Sequence, residues 1–196
     1  METINFELNT PDDYKPKPKL ILPKFSEVIS PLWNSFLEFN FTEEEITKAK
    51  NFSYRLIPEK DKEEGYRIDG EKKFKRNLTG RLGEMACEKY FGVEFCDWTI
   101  GKSKKFIEAD LKKIGINAGI KTSDWYNFPM VPSNPEHPEV ICLRQEYTSY
   151  ICGWATVEDM KKYCNIELIK DEQCRAKGTK TAFYGFNFLK DLKDLK

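Results

Sequence analysis

The chain has 196 residues, enough for one domain with a sizeable core or for one domain with an extension. Hydrophobic residues make up 40% and charged residues 33%, an ordinary balance for a soluble protein. The 32 Lys and Arg residues balance 32 Asp and Glu residues, which excludes a strongly basic nucleic-acid binder. Basic residues that cluster locally can still bind phosphate, because binding responds to the local field.

The lack of a recognisable targeting signal and the pattern of cysteines predict a cytoplasmic protein. No apolar run approaches the length of a membrane span, and residues 1–4 lack the pattern of a secretory signal. None of the six cysteines forms a CxxC pair, which argues against a zinc site. We therefore expect reduced thiols and a cytoplasmic location.

The first part of the chain predicts an arm followed by a helix. Residues 1–24 contain four prolines and predict an extended arm, with a short strand at residues 4–8. Apolar residues at helical spacing predict a helix within residues 26–39, and Pro31 places its start after Ser30 as N-cap.

A capping box predicts the next helix. Thr42 and Glu45 have the spacing of this motif, and a short helix through Lys50 is expected. Residues 56–70 are polar and charged, and predict an exposed loop.

A basic cluster then leads into a longer helix. The cluster consists of Lys72, Lys73, Lys75 and Arg76. The helix is predicted over residues 77–91, with Gly92 as its C′ residue. Its apolar face comprises Leu78, Leu82, Met85, Ala86 and Tyr90. Glu84 and Glu88 are neighbours on the helix surface, a spacing that is usually typical of a solvated face.

The stretch after this helix contains the most informative residues. Residues 116–120 alternate between apolar and other side chains, which predicts a half-buried strand with Lys121 near its end. Asp110 closes another predicted strand at residues 106–110. A short reversal through residues 112–115 would bring this acid beside Lys121.

The C-terminal half completes a mixed sheet. Residues 122–138 predict a long loop, and residues 139–143 and 150–155 are apolar runs typical of buried strands. Thr156 caps a further helix, and residues 181–188 predict an extended segment.

This order of elements predicts an α/β or α+β fold with a central mixed β-sheet flanked by helices. We expect an N-terminal arm and helical extension over residues 1–70, and a core domain over residues 71–196.

These residues have the chemistry that phosphodiester hydrolysis needs. A divalent cation polarises the phosphate, a water is activated, and positive charge meets the transition state. Asp110 and Glu84 would supply carboxylates to Mg²⁺ or Mn²⁺, with the carbonyl of Ile120 as a further ligand. Lys121 would orient or help deprotonate the water, or stabilise the developing charge. The alternatives without catalysis are that Asp110 is an acid in a turn and that Lys121 extends from the strand end into solvent.

Four segments in this order resemble the PD-(D/E)xK, or restriction-endonuclease-like, nuclease superfamily. They are Gly83-Glu84-Met85-Ala86, Ala109-Asp110-Leu111, Gly119-Ile120-Lys121-Thr122-Ser123, and Ile151-Cys152-Gly153-Trp154-Ala155-Thr156. The resemblance implies a restriction-endonuclease-like fold and Mg²⁺-dependent endonuclease cleavage of DNA, less often RNA. It implies Asp110, Glu84 and Lys121 as the catalytic residues, and a homodimer is common in enzymes of this fold.

The sequence departs from the family pattern at the second acid. That acid falls two residues before the lysine, where this chain has Gly119. Either Glu84 replaces the missing carboxylate or the site is impaired, and Asn117 and Glu108 are weaker substitutes. The proline that normally precedes the first acid is also absent.

Several residues are candidates for nucleic-acid contacts. They are Lys75, Arg76, Arg81, Ser123 and Trp125. The basic residues are equally typical of an ordinary solvent-exposed surface. Aromatic loop residues such as Trp125 and Tyr126 more often pack on the core than stack on bases.

We therefore expect a metal-dependent hydrolase that cuts phosphodiester bonds, with DNA as its partner. The alternative is a nuclease-like module that has lost catalysis and binds nucleic acid or a protein. A third, weaker hypothesis is an assembly protein that uses the aromatic loop as a contact.

Overall fold

The computed structural model describes residues 22–61, 70–100 and 108–195. The predicted strand at residues 4–8, most of the predicted arm and residues 106–107 lie outside these ranges. Within them, no helix combines the length and apolar character that crossing a membrane requires.

Helices and strands alternate irregularly along the described ranges. The α-helices are α1 (Phe25–Ile29), α2 (Glu43–Asp61), α3 (Gly70–Phe91), α4 (Val157–Lys162) and α5 (Glu172–Lys177). The strands are β1 (Leu37–Asn40), β2 (Gly119–Asp124), β3 (Met130–Pro132), β4 (Glu139–Gln145), β5 (Thr148–Ala155), β6 (Cys164–Asn165) and β7 (Lys180–Phe183).

The strands form two sheets. The main sheet has the order β1-β5-β4-β2, in which β2 runs parallel to β4 and the other pairs are antiparallel. The second sheet is antiparallel, with the order β3-β7-β6. The predicted class, an α+β fold with a mixed sheet flanked by helices, is confirmed.

The core lies on both faces of β4. Val140 and Cys142 pack with Cys87 of α3, whereas Ile141 and Leu143 belong to a second cluster that includes residues of α1, α4 and β7. Successive side chains of a strand point to opposite faces, so a strand covered on both faces reads as a continuous apolar run. The main sheet is therefore a middle layer, and β2 is its edge strand.

The N-terminal predictions are partly wrong. After Ile29 the chain forms a 3-10 helix, Ser30–Ser35, and then β1, because pairing with β5 overrides the helical spacing of the apolar residues. The capping box is confirmed, since the backbone N–H of Thr42 donates to Glu45 Oε2 at 2.7 Å and that of Glu45 donates to Thr42 Oγ1 at 3.2 Å.

Helix boundaries also differ from the predictions. The helix after Thr42 continues to Asp61, so the predicted end at Lys50 is wrong, and so is the predicted loop at residues 56–61 and at Gly70. Residues 62–69 of that loop lie outside the described ranges. Helix α3 begins at Gly70 rather than at residue 77, which places the basic cluster on the helix. Gly92 has a φ of 66°, as a C′ glycine requires.

The predicted strand around residue 110 and the predicted central strand are shifted. Asp110–Ile114 is a 3-10 helix, and β2 begins at Gly119 instead of residue 116. The alternation before β2 reflects packing of a turn, because Ala118 is buried and its carbonyl accepts from Leu111 N at 3.0 Å.

Farther along, β2 and β3 occupy parts of the predicted loop at residues 122–138. The predicted segment 181–188 is extended only to Phe183. The strands at residues 139–143 and 150–155 and the helix capped by Thr156 are confirmed. The proposed division at residue 70 stays a prediction, with β1 an outer strand of the main sheet.

Candidate active site

A tight reversal places Asp110 at the beginning of β2. The 3-10 helix that Asp110 opens ends at Gly115, whose φ of 86° lies in the left-handed region that glycine tolerates. The returning chain brings Ile120 N to 2.7 Å from Asp110 Oδ2, to which it donates a hydrogen bond. One oxygen of this carboxylate therefore fixes the acid to the strand, and a carboxylate has a second oxygen that can bind a cation.

Lys121 has a partner that the sequence did not indicate. Its Nζ lies 3.2 Å from Oε2 of Glu139, whose side chain is 1% exposed. Glu139 is the register partner of Gly119 on the parallel strand β4. A Cβ built on Gly119 would overlap this carboxylate, and would also lie 3.0 Å from Cε1 of His137. The carboxylate of Glu139 thus lies where a side chain at residue 119 would begin.

The surroundings of Glu139 raise the pKa of its carboxyl group. Burial raises the pKa of its carboxyl group, the positive charges of Lys121 and His137 oppose that effect, and the charge of Asp110 raises the pKa further. His137 Nδ1 is 3.8 Å from Oε1. In the described ranges no donor forms a well-aligned hydrogen bond to Oε2, although Lys121 is close enough for an ion pair. This oxygen can therefore accept a further cation.

Glu84 lies on α3, the helix that packs against β2. Arg81 Nη1 donates to Glu84 Oε2 at 2.6 Å, so Glu84 is not a simple solvated acid. Burial raises the pKa of Glu84 to about 7, with Arg81 opposing the rise and the charges of Asp110 and Glu88 adding to it. Asp110 thus has an electrostatic interaction with both Glu84 and Glu139.

Gly83 allows α3 to lie close to β2. A Cβ on this residue would overlap Oγ1 of Thr122. Because Glu84 is the next residue on the helix, this close approach sets how far its carboxylate lies from the sheet. The neighbouring acid Glu88 has a different role, since its Oε1 accepts from the backbone N–H groups of Phe95 and Cys96.

The donor chemistry at this edge of the sheet fits a hard divalent cation. Asp110, Glu84 and Glu139 provide carboxylate oxygens, the ligand type that such a cation prefers. The carbonyl oxygen of Ile120, 3.4 Å from Lys121 Nζ, is a candidate backbone ligand. Within the part of the chain that the structure describes, no group of three or more His, Cys, Asp or Glu side chains could hold a metal ion. Mg²⁺ usually binds one or two protein carboxylates and completes its shell with waters and substrate phosphate oxygens, so a smaller protein set is compatible with it.

A basic cleft of about 420 Å³ runs along the open edge of β2, beside Lys121. Six of its described lining residues are basic, and they are Lys72, Lys75, Arg76, Lys121, Lys170 and Lys180. Its two acids are Asp124 and Asp171. Asp124 is already neutralised, because Lys75 Nζ lies 3.0 Å and Arg144 Nε 2.8 Å from its carboxylate. The cleft is therefore positively charged although the net charge of the chain is zero.

The predicted nucleic-acid contacts divide into two groups. Lys75, Arg76 and Ser123 line the cleft, where Ser123 Oγ also donates to Asn127 O at 2.7 Å. Arg81, by contrast, is a buried residue of α3, and its guanidinium donates hydrogen bonds to Glu84 and to the carbonyl of Asp97. Trp125 packs edge-on against Trp33, with ring centroids 4.6 Å apart.

Three residues at this site were missed by sequence reasoning. Glu139 is the first residue of an apolar strand, and that unusual position was its only signal. Lys170 and Lys180 come from C-terminal segments that reach the cleft through the second sheet and the segment before α5. Nothing local in the sequence relates them to Lys121.

Comparisons of this chain with protein-family models, curated proteins and solved structures gave no match.

Proposed function

We propose that this protein is a cytoplasmic Mg²⁺- or Mn²⁺-dependent endonuclease of the PD-(D/E)xK type that hydrolyses DNA phosphodiester bonds. The observation that carries the proposal is the pairing of Lys121 with Glu139 beside a basic cleft, with Asp110 fixed at the start of the same strand. Glu139 supports it further because it provides an acid next to the position where Gly119 lacks one.

The acids have distinct roles in this proposal. Asp110, Glu139 and the carbonyl of Ile120 would hold the cation directly, and Glu84 would interact with it only through a bound water, because the described ranges contain no group of three metal-binding side chains. When bound, Mg²⁺ or Mn²⁺ polarises the phosphate and lowers the pKa of the attacking water. Before binding, the burial of Glu139 and the charge repulsion between Asp110 and its neighbouring acids favour a cation at this position.

Lys121 acts on the substrate side of the site. Its side chain is 29% exposed and lines the cleft, so its ammonium group can reach both Glu139 and a phosphate in the cleft. It orients the attacking water and stabilises the negative charge that develops on the phosphate oxygens. The water oxygen bonds to phosphorus as the bond to the leaving sugar oxygen breaks. The proton of the attacking water passes to solvent, and the leaving sugar oxygen takes up a proton from solvent.

Substitution of the two motif residues tests this mechanism. We expect Lys121→Ala and Asp110→Ala to abolish Mg²⁺-dependent cleavage while circular dichroism shows an intact fold. Each loss should be about 100-fold or more, as for other groups that stabilise a transition state. Lys112→Ala is the matched control, because Lys112 is an exposed lysine that pairs with Glu108. Full activity of both site variants would eliminate the mechanism.

A binding module without catalysis is the second candidate. The observation in its favour is that the described ranges contain no preformed group of three metal-binding side chains. Such a module would bind nucleic acid or a protein partner without cutting it. Incubation with Mg²⁺ or Mn²⁺ and single-stranded, duplex and branched DNA, and with RNA, distinguishes the two candidates by the presence or absence of cleavage.

A further inference from the structure

The basic cleft has an apolar side next to its cations. Met130 of β3 and Leu168, which comes just before the chain reaches Lys170, are half-buried and line the same cavity as Lys72 and Lys180. A surface that binds only the outside of a duplex needs phosphate contacts alone, because paired bases hide their faces by stacking. Apolar side chains beside cations instead suit a strand whose bases are unpaired.

An exposed tyrosine lies beside this cleft in an unusual backbone conformation. Tyr126 has a φ of 71°, which non-glycine residues seldom adopt, and the residue is 67% exposed. Its carbonyl accepts a hydrogen bond of 2.9 Å from Lys170 Nζ, and Lys170 is one of the cleft's cations. The turn therefore fixes the backbone of Tyr126 to a cation of the cleft. Its ring lines a neighbouring pocket, with its centroid 6.2 Å from that of Phe25, so it can stack only on a base that extends out of the cleft past Lys170.

The size of the cleft also matches a single strand. Its volume of about 420 Å³ falls within the range of sites that enclose a small molecule, so we expect the cleft to enclose only part of one strand. The wall on one side is α3 and the wall on the other comes from β3, β7 and residues 168–171. Entry of one strand between these walls brings its phosphates past Lys121.

We infer that the cleft binds an unpaired segment of nucleic acid, with phosphates at Lys72 and Lys180 and bases against Met130, Leu168 and Tyr126. This inference deepens the proposed function, on which it rests for the identity of the substrate. The substrate class is thus a single strand, or a single-stranded end or flap of a longer duplex.

Binding without catalysis tests the inference directly. The full chain is titrated in EDTA against a fluorescent oligonucleotide of about 12 nucleotides, offered as single-stranded DNA, as single-stranded RNA and as the blunt DNA duplex. We expect at least one single strand to bind about tenfold or more tightly than the duplex, the equivalent of one stacked base. The two single-stranded arms identify the preferred sugar. Equal or tighter binding of the duplex overturns the inference.

Variants localise the binding to the cleft. Lys72→Gln with Lys180→Gln should weaken single-strand binding and reduce the slope of log affinity against log salt by about 0.7 for each lysine removed. Tyr126→Ala should weaken binding of the single strand and leave binding of the duplex unchanged. Lys193→Gln is the control, because Lys193 is an exposed lysine that pairs with Asp191 outside the cleft. Unchanged affinity of the double lysine variant overturns the inference.

The two proposals can fail separately. Tight single-strand binding in EDTA without any cleavage in Mg²⁺ would support the cleft assignment and refute the nuclease. Cleavage of blunt duplex with no preference for single strands would support the nuclease and refute the cleft assignment.

Discussion

Gly119 and Glu139 are register partners on parallel strands, and the missing side chain of Gly119 leaves the space that the Glu139 carboxylate fills. The carboxylate carbon Cδ would lie 3.0 Å from a Cβ at residue 119, and its Oε2 would be closer still. The same oxygen is the ion-pair partner of Lys121. An acid therefore accompanies the lysine from the neighbouring strand, although the sequence has none two positions before it.

Restoring an acid at residue 119 should damage the protein rather than improve it. Gly119→Asp forces a side chain into the space of Glu139 and adds a second buried negative charge. We expect a loss of roughly 1–3 kcal/mol in the free energy of unfolding from overpacking alone, and no gain in cleavage. Urea denaturation and a cleavage assay measure the two effects. The double variant Gly119→Asp with Glu139→Ala should cleave better than Glu139→Ala alone. A Gly119→Asp variant as stable as the wild type would contradict this packing.

The acid at residue 139 illustrates why part of the site was not predictable from sequence. The approach of Asp110 to β2 follows from a local reversal at Gly115, and local chain geometry can be read from a short stretch. Glu139 reaches the site only because β2 pairs with β4 in one particular register. That register is set by burial of both faces of β4, which no local pattern near residue 119 encodes.

The elements of the fold also divide into those with a strong local sequence signal and those set by tertiary pairing. The buried strands β4 and β5 and the Thr156 cap had strong local signals and were predicted correctly. The helix expected to start after Ser30 was wrong, because α1 ends at Ile29, a 3-10 helix spans Ser30–Ser35, and β1 gains hydrogen bonds by pairing with β5. Tertiary pairing outweighs a propensity of a few tenths of a kcal/mol per residue.

Two glycines of α3 should respond in opposite ways to alanine. At Gly83 a Cβ would overlap Thr122 Oγ1, so Gly83→Ala should lower the free energy of unfolding by roughly 1–3 kcal/mol and push Glu84 away from the sheet. At Gly80 a Cβ would meet no atom within 4 Å, so Gly80→Ala should raise it by about 0.5–1 kcal/mol through helix propensity. Urea denaturation of both variants measures the contrast. Equal effects would show that α3 is not in close contact with β2.

Arg81 should matter more for stability than for nucleic-acid binding. Its guanidinium donates to Glu84 and to the carbonyl of Asp97 at 2.8 Å, and lies over the ring of Phe52 at 4.3 Å. We expect Arg81→Met to lower the free energy of unfolding by about 2 kcal/mol at pH 8, because the hydrogen bonds of a buried guanidinium are lost and Glu84, whose side chain is 25% exposed, loses its cation. The loss should shrink in the double variant with Glu84→Gln, which removes the orphaned charge.

The control for Arg81 is a surface arginine. Arg175 Nη1 lies 3.6 Å from Glu167 Oε2, and the side chain of Glu167 is exposed. Arg175→Met should therefore lower the free energy of unfolding by less than about 1 kcal/mol. Two outcomes would show that the Arg81–Glu84 ion pair does not stabilise the protein. One is that Arg81→Met lowers the free energy of unfolding no more than Arg175→Met does, and the other is that Glu84→Gln does not reduce the effect of Arg81→Met.

Glu84 should make the stability of the protein fall as the pH rises from about 4.5 to about 7. Burial and the nearby charge of Asp110 raise the pKa of Glu84 from its ordinary 4.5 to about 7, with Arg81 only partly opposing this effect. Below pH 4.5 both the folded and the unfolded chain hold the proton, so no penalty exists. Between the two values the unfolded chain loses the proton that the folded chain keeps, and above pH 7 the penalty reaches roughly 3 kcal/mol.

Urea denaturation in EDTA should therefore show Glu84→Gln gaining stability over the wild type across this window. The control Glu136→Gln, at an exposed loop position, should run parallel to the wild type. Parallel curves for Glu84→Gln would mean that Glu84 is already ionised at little cost, and that the acids around Asp110 do not repel one another enough to favour a bound cation.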